Sequence, residues 1–287
     1  MNSQKPKISI VTPCFNAEKY ILETAESILN QTAVLSGRVD LEYIIRDGQS
    51  KDRTVELIES LNSPHIMLIS EPDEGMYDAL SKGLQSVTGD ITAYLNAGDY
   101  YHKCAFDIVL DVFEQKKAKW IHGYGVLYSE NSYVVNINMP FRFRRRFFRK
   151  GIYGAFLSYL QQESTFWATE LLQTVDFDRL KSFKNAGDFY LWHQFATKEE
   201  IYIVYAYLGG FKRHQDSLTS RGAKELGSDK PSANNIREIK AMTEKPAVFD
   251  YALALFDRVM RKMPIKVKKR LNPQYLILYD FKTNSWY

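Results

Sequence analysis

The stretch Ile66–Asp99, IMLISEPDEGMYDALSKGLQSVTGDITAYLNAGD, reads as strand, helix and strand in turn. Ile66–Ser70 is a short apolar run of strand length. Tyr77, Leu80, Leu84 and Val87 then recur at steps of three and four, the spacing of one helix face. Ile91–Leu95 (ITAYL) is a second β-rich run, and it ends in Asn96-Ala97-Gly98-Asp99. Toward the N-terminus the pattern repeats. Lys7–Thr12 (KISIVT) predicts a strand, and Ile21, Leu22, Ala25, Ile28 and Leu29 predict a helix. Leu41–Arg46 (LEYIIR) predicts another strand, followed by a helix from about Asp52 to Leu61. Alternation at this pitch predicts an α/β fold with a mostly parallel, doubly wound central sheet flanked by helices. In such sheets ligands bind beyond the carboxyl ends of the strands. That rule gathers Thr12–Asn16, Asp47–Ser50, Glu71–Gly75 and Asn96–Asp99 at one edge.

The second half is less regular. Trp120–Asn138 predicts strands rich in Tyr and Val, and Phe141–Lys150 (FRFRRRFFRK) predicts a loop. Ser164–Ala168 and Ile201–Leu208 (IYIVYAYL) predict strands, and Gly187–Ala196 opens a helix. From about Gly222 the chain turns polar, and Gly227, Ser228, Pro231 and Ser232 suggest a linker. Beyond it Phe249, Leu253, Phe256, Met260 and Met263 form a helical stripe. No internal repeat is visible.

Composition narrows the class. Apolar residues make up 45% of the 287, ordinary for a chain that buries a core. The net charge is +4, but its distribution is uneven. Phe141–Lys150 carries six basic residues and no acid, and Arg258–Arg270 carries seven and no acid. Without those thirteen cations the net charge of +4 would become −9, so the body is acidic and the basic charge is local. Such patches suit anionic surfaces: phospholipid, phosphate or nucleic acid. Two cysteines, Cys14 and Cys104, make no disulfide framework. The N-terminal MNSQKPKISIVTP lacks the apolar core of a signal peptide, and no run approaches 18 apolar residues. A reducing, cytoplasmic compartment is expected.

Each polar segment at the sheet edge has two readings. Asp47 at a strand end suits hydrogen bonds to a base or sugar, and Ser50 or Asp52 equally suits a helix cap. Asn96–Asp99 suits a divalent ion held against a diphosphate, or a plain polar turn. Glu71-Pro72-Asp73-Glu74-Gly75 is a dense acidic loop at the ligand edge, or a solvated connection. Asp188 suits a general base, or an acid favoured by a helix N-terminus. His214 is a lone histidine, and Lys212 and Arg213 beside it suit phosphate.

Taken in order, these segments resemble the family 2 glycosyltransferases, whose nucleotide-sugar-binding fold is of the GT-A type. The matching stretches are Val11–Leu22 (VTPCFNAEKYIL), Ser27–Gln31 (SILNQ), Tyr43–Thr54 (YIIRDGQSKDRT), Ile69–Gly83 (ISEPDEGMYDALSKG), Thr88–Ile91 (TGDI) and Leu95–Asp99 (LNAGD). The resemblance is strong over residues 7–101 and patchy to about 220. It implies a Rossmann-like GT-A domain over 1–221, with a nucleotide-sugar half (about 1–101) and an acceptor half (about 102–221). A basic, helical extension over 222–287 follows.

The resemblance also implies roles. Phe15 would stack on the nucleobase and Asp47 would bind its edge. Thr12, Pro13, Asn16, Gly48, Ser50, Asp73, Asn96 and Ala97 would line the donor site. Asp99, last acid of an Asp-x-Asp-type motif, would bind Mn²⁺ or Mg²⁺, with His214 a further candidate ligand. His214 and Ser217 fall where relatives carry a late loop closing over the diphosphate. Gln161, Gln162, Glu163 and Trp192 would face the acceptor, and Asp188 would deprotonate its hydroxyl. Two positions depart from the family pattern: Gly98 stands where many members have Asp, and Gln162 where Pro is usual.

The implied activity is inverting transfer from a nucleotide-sugar, a UDP-sugar foremost, to a glycan or lipid-linked acceptor in cell-surface polysaccharide synthesis. The basic stretches 141–150 and 258–270 would then meet an anionic membrane from its cytoplasmic face. The aromatic excess would serve a homodimer as well. The contrasting class is a degenerate fold that only binds anionic lipid or nucleic acid. The acidic body repels a polyanion, so no nucleic acid is expected. A nucleotidyltransferase would need a Gly-rich, basic loop after the first strand, and Cys14–Tyr20 is not one.

Overall fold

The structure, a computed structural model, describes residues 5–213 and 233–287. Strands β1 (Lys7–Cys14), β2 (Asp40–Asp47), β3 (Ile66–Ser70) and β4 (Ile91–Tyr94) are parallel neighbours in the order β4-β1-β2-β3. They alternate with helices α1 (Ile21–Leu29), α2 (Thr32–Leu35), α3 (Thr54–Ser60) and α4 (Met76–Gln85). Ile8, Ile10 and Val11 of β1 are fully buried, as expected for a central parallel strand covered on both faces. After the short β5 (Tyr100–Tyr101) and helix α5 (Ala105–Lys116), β6 (Trp120–His122) extends the sheet. It joins through β9 (Thr165–Ala168), which runs antiparallel to both β4 and β6.

A second sheet has the order β5-β11-β7-β8. It takes β7 (Gly125–Tyr128), β8 (Val134–Asn138) and β11 (Gly209–Lys212). The strand expected over Ile201–Leu208 is only three residues long. Strand β10 (Tyr202–Val204) lies in the central sheet, the Ala206 N–H turns back onto the Val204 carbonyl at 2.7 Å, and β11 resumes in the second sheet. An apolar run is read as continuous only while one sheet holds it, and here the chain changes sheets.

The expected loop over 141–150 contains helix α6 (Arg145–Arg149). Phe141, Phe143, Phe147 and Phe148 are buried, so the aromatic half of that stretch belongs to the core. Helices α7 (Phe177–Ser182) and α8 (Gly187–Phe195) follow. The C-terminal segment is helical over Ala233–Met242, Val248–Met260 and Ile265–Leu271. It also returns β12 (Leu276–Ile277) to the central sheet as its edge beside β10, and Trp286 is buried near α5, its N–H 2.9 Å from Gln115 Oε1. The expected linker around 222–232 lies outside the described residues.

Candidate active site

The nucleotide edge is built by two interlaced loops. β1 runs two residues further than expected, pairing Cys14 with Asp47. Thr12 and Pro13 are consequently buried, and the Thr12 hydroxyl accepts from Tyr43 at 3.2 Å. The side chains of Thr12 and Pro13 are thus closed to solvent, unlike the exposed donor-site residues expected there. The open edge starts at Phe15, which is 60% exposed, and Asn16. Asn16 Oδ1 accepts from the Lys51 N–H (2.8 Å), and its own N–H donates to Ser50 Oγ (2.8 Å). The Gly48 N–H reaches the Cys14 carbonyl at 2.9 Å.

Asp47 is nearly closed to solvent. Its carboxylate accepts from the Ser50 N–H (3.0 Å), the Ser50 hydroxyl and Ser70 Oγ (2.6 Å). A base reaching Asp47 would have to share or displace one of these donors. Asp73 holds its own loop through the Gly75 N–H (2.8 Å). Burial, then the charge of Asp47 and more weakly that of Asp73, pushes the Cys14 thiol up, so these acids converge on one strand end.

The turn after β4 presents Asn96 and Ala97 half-buried and tucks Asp99 beneath them. Gly98 has φ +109°, a conformation that only glycine takes without strain. Its N–H donates to Thr24 Oγ1 (2.9 Å), and the Thr24 hydroxyl donates to the Asp99 carbonyl (2.8 Å). Asp99 Oδ1 accepts from the Lys212 N–H (3.0 Å), and Oδ2 from Gln162 Nε2 (2.9 Å). Gln162 thus has a use that proline in its place lacks. Burial pushes the Asp99 carboxyl up to about 8. Glu163 is raised well above its ordinary value by burial, then by the Asp99 charge, with Asp188 adding to it.

Among the described residues no three His, Cys, Asp or Glu side chains form a metal-binding group. The oxygens nevertheless suit a hard dication. Asn96 Oδ1 and Glu163 Oε1 are buried without a hydrogen-bond partner among the described residues, and Asp99 and Glu163 oppose each other's ionisation. Mg²⁺ and Mn²⁺ use one or two carboxylates and complete their shell with phosphate oxygens. Asp99, Glu163 and Asn96 therefore fit such an ion. His214 and Ser217 lie outside the described residues. The Lys212 ammonium pairs with Glu23 at 2.6 Å.

Asp188 sits in the first turn of α8. Its Oδ1 accepts from the Phe189 N–H (2.7 Å) and, at 3.4 Å, from the Tyr77 hydroxyl. Gly187 matters here because a Cβ on it would lie 2.4 Å from the Tyr77 ring. Asp188 is half-buried, and that burial outweighs its donors and raises the carboxyl to about 6. The loop entering α8 is capped from the C-terminal segment. Glu238 accepts from the N–H groups of Lys184 (3.2 Å), Asn185 (3.0 Å) and Ala186 (2.8 Å). No local pattern announces Glu238, which is fifty residues away in sequence. Tyr77 was visible only as one member of a helical stripe.

On the acceptor side, Gln161 reaches the open surface, while Gln162 and Glu163 are buried behind it. Trp192, expected to face the acceptor, is closed to solvent. It is fully buried, stacked on Trp120 at 5.9 Å and edge-on to Trp167 at 5.6 Å, because it occupies the inward face of α8.

Comparison with known proteins agrees with this geometry. The profile of glycosyl transferase family 2 matches residues 9–162, more than half of the chain. A chondroitin synthase of Pasteurella multocida is 32% identical over 114 residues, covering 39% of this chain and 11% of that protein. S. aureus TarS 1-349, solved in complex with UDP-GlcNAc, superposes with a TM-score of 0.58 at 15% identity, covering 74% of this chain and 60% of that one. The mannosyltransferase PcManGT from Pyrobaculum calidifontis, solved with GDP-Man and Mn²⁺, gives 0.52 at 14% identity over 95% of this chain and 85% of its own. The chain thus spans about a tenth of the chondroitin synthase and under two thirds of the TarS fragment. A GT-A sheet with its acids gathered at the strand ends, and a family match running through those same strand ends, make this chain a member of glycosyl transferase family 2.

Proposed function

We propose that the protein is an inverting, metal-dependent glycosyltransferase. It would move a sugar from a nucleoside-diphosphate sugar, a UDP-sugar foremost, to a hydroxyl of a glycan or lipid-linked acceptor in cell-surface polysaccharide synthesis. One observation carries this reading: Asp188, half-open beside the donor edge, is poised by burial at about 6. A general base works best with a pKa near the working pH. Asp188 takes the proton of the acceptor hydroxyl as that oxygen bonds to the anomeric carbon. The bond from that carbon to the diphosphate breaks on the opposite face, so the configuration inverts. Phe15 offers a stacking surface to the base, and Asn96 and Ala97 line the floor of the donor edge. Asp99, Glu163 and Asn96 would hold a divalent cation, which would supply positive charge against the leaving diphosphate. TarS with UDP-GlcNAc and PcManGT with GDP-Man and Mn²⁺ support a nucleotide-sugar donor while leaving the nucleotide to experiment. Calorimetric titration with UDP, GDP and dTDP, each with and without Mn²⁺, tests the reading. Metal-dependent binding of one nucleotide is expected, and no binding by folded protein would overturn it.

The enzyme would work on the cytoplasmic side of a membrane, as a peripheral protein. The surface that supports this is not the buried phenylalanines of 141–150 but the helix Val248–Met260. Val248, Phe249, Leu255, Phe256 and Val259 are exposed there, beside the cations Arg258 and Lys262. An exposed apolar face flanked by cations is the makeup of an interfacial helix. Among the described residues no helix is long and apolar enough to cross a membrane. Flotation with anionic vesicles at low salt should carry the protein upward, and a protein left in the dense layer would refute membrane attachment.

A further inference from the structure

The basic stretch 141–150 is mostly neutralised within the protein. Arg144 makes a two-pronged pair with Asp257 (2.6 and 2.7 Å), Arg146 pairs with Asp250, and Lys150 pairs with Glu244 (2.6 Å). Arg145 caps the end of α8 through the carbonyls of Ala196 and Thr197, both at 2.6 Å. Arg142 is the exception: it makes no hydrogen bond or ion pair with any described residue. It lines a cavity whose wall also holds Arg261, Asn138, Ser158, Tyr159 and Gln161.

Arg261 ends the helix Val248–Met260. Its guanidinium bonds only neutral oxygens, Ser158 Oγ (2.8 Å) and Asn138 Oδ1 (2.7 Å). Burial, and then the charge of Arg258, lowers its pKa. Lys268, only 4% exposed, bonds Tyr205 OH at 3.0 Å, and burial and the Arg261 charge lower it too. The nearest acid on the wall, Asp257, has both oxygens on Arg144. Arg261 is partly buried, repelled by Arg258 and matched with no carboxylate, and Arg142 stands on the same cavity wall without a hydrogen bond or ion pair among the described residues, so an anion entering there meets two uncompensated guanidiniums. Guanidinium forks suit phosphate and carboxylate.

The cavity is also well placed. Tyr159 is a wall of it and is close enough to Asp188 for the charge of that carboxylate to act on its phenol, and Gln161 leads directly to Gln162 and Glu163. We infer that this cavity seats an oxyanion carried by the acceptor, a phosphate or a carboxylate, between Arg142 and Arg261, while the acceptor hydroxyl faces Asp188. Calling the ligand an acceptor rests on the glycosyltransferase reading; the anion site itself does not.

The test uses the full chain, saturated with whichever nucleoside diphosphate calorimetry selects, so that the donor site is filled. Inorganic diphosphate and methyl glucuronoside are added separately, and their NMR lines are followed. Wild-type protein should broaden the lines of at least one probe. Diphosphate alone would point to a lipid diphosphate or other phosphorylated acceptor, and glucuronoside alone to a uronic-acid glycan. Arg261→Gln should abolish at least nine tenths of the broadening while nucleotide binding is unchanged. Arg142→Gln, which removes no hydrogen bond of the fold, should do the same if Arg261→Gln misfolds. No broadening by wild type, or equal broadening by the folded variants, overturns the inference while nucleotide binding keeps the transferase reading standing. Absence of nucleotide binding strikes that reading instead; the probes then report on the anion site in the nucleotide-free protein.

Discussion

Asp188 concentrates the chemistry in one carboxylate, and its environment sets a pH signature. Its carboxyl is raised from 3.8 to about 6, chiefly by burial. Below that value it is protonated and cannot act as a base. Turnover should therefore rise with pH through about 6 and then level, as a pH–rate profile would show. The same shift works on folding: this group's contribution to stability is full below 3.8 and is lost as the pH rises through about 6. Asp188→Asn should lower turnover by about 10²–10⁴-fold, the usual worth of a general base, with nucleotide affinity kept. A variant turning over normally would remove Asp188 from the mechanism. Gly98 makes a separate prediction. Restoring the aspartate common in relatives does not restore a ligand here, because the backbone at φ +109° resists any side chain. Gly98→Asp should cost about 1–3 kcal/mol of stability, read as a lower melting temperature. An unchanged melting point would show that the turn relaxes freely.

Between elements, the less visible couplings matter more. The sequence made β1 to β4 and their helices plain, because each carries its period within itself: apolar strand runs, and steps of three and four in α4. It did not show that the strand within Ile201–Leu208 stops at Val204, since the run of Ile, Tyr and Val continues without a break in sequence. It did not show that Trp192 points inward, since α8 is apolar nearly all round and its period marks no face. Nor did it place Glu238, whose carboxylate accepts three backbone N–H groups ahead of α8. That capping fixes the turn from which Asp188 projects. Glu238→Ala leaves three N–H groups without their acceptor, and a lost cap costs about 0.5–2 kcal/mol. It should lower kcat several-fold while nucleotide binding stays as it was, because the donor edge lies on other elements. A variant with kcat intact would make Glu238 a surface cap with no bearing on the base.

For the whole molecule, the candidate site was legible where it lies on strand ends and hidden where it depends on chain returning from afar. Phe15, Asn16, Asp73 and Asn96 follow the strands that the alternation rule picks out, whereas Asp188 lies in the first turn of α8. The burial of Pro13 and Cys14 was not legible, because the end of a strand cannot be read to two residues. The C-terminal segment was legible as helices, but its contribution to the sheet was not, since Leu276-Ile277 is too short a run to mark a strand. That return strand should be indispensable. Leu276 and Ile277 are fully buried, Trp286 nearly so, and β12 covers what would be the bare edge of β10. Exposing three such side chains costs about 1.5–3 kcal/mol each, or roughly 5–9 kcal/mol together. A domain is held by only about 5–15 kcal/mol in all. An uncovered edge also invites pairing with other chains. A chain ending at Pro273 should therefore be insoluble or lack a cooperative melt, whereas Leu276→Ala in the full chain should fold with a melting temperature lowered by several degrees. A soluble, cooperatively melting truncation would instead mean that the sheet closes at β10 and that the C-terminal segment serves only the surface it covers.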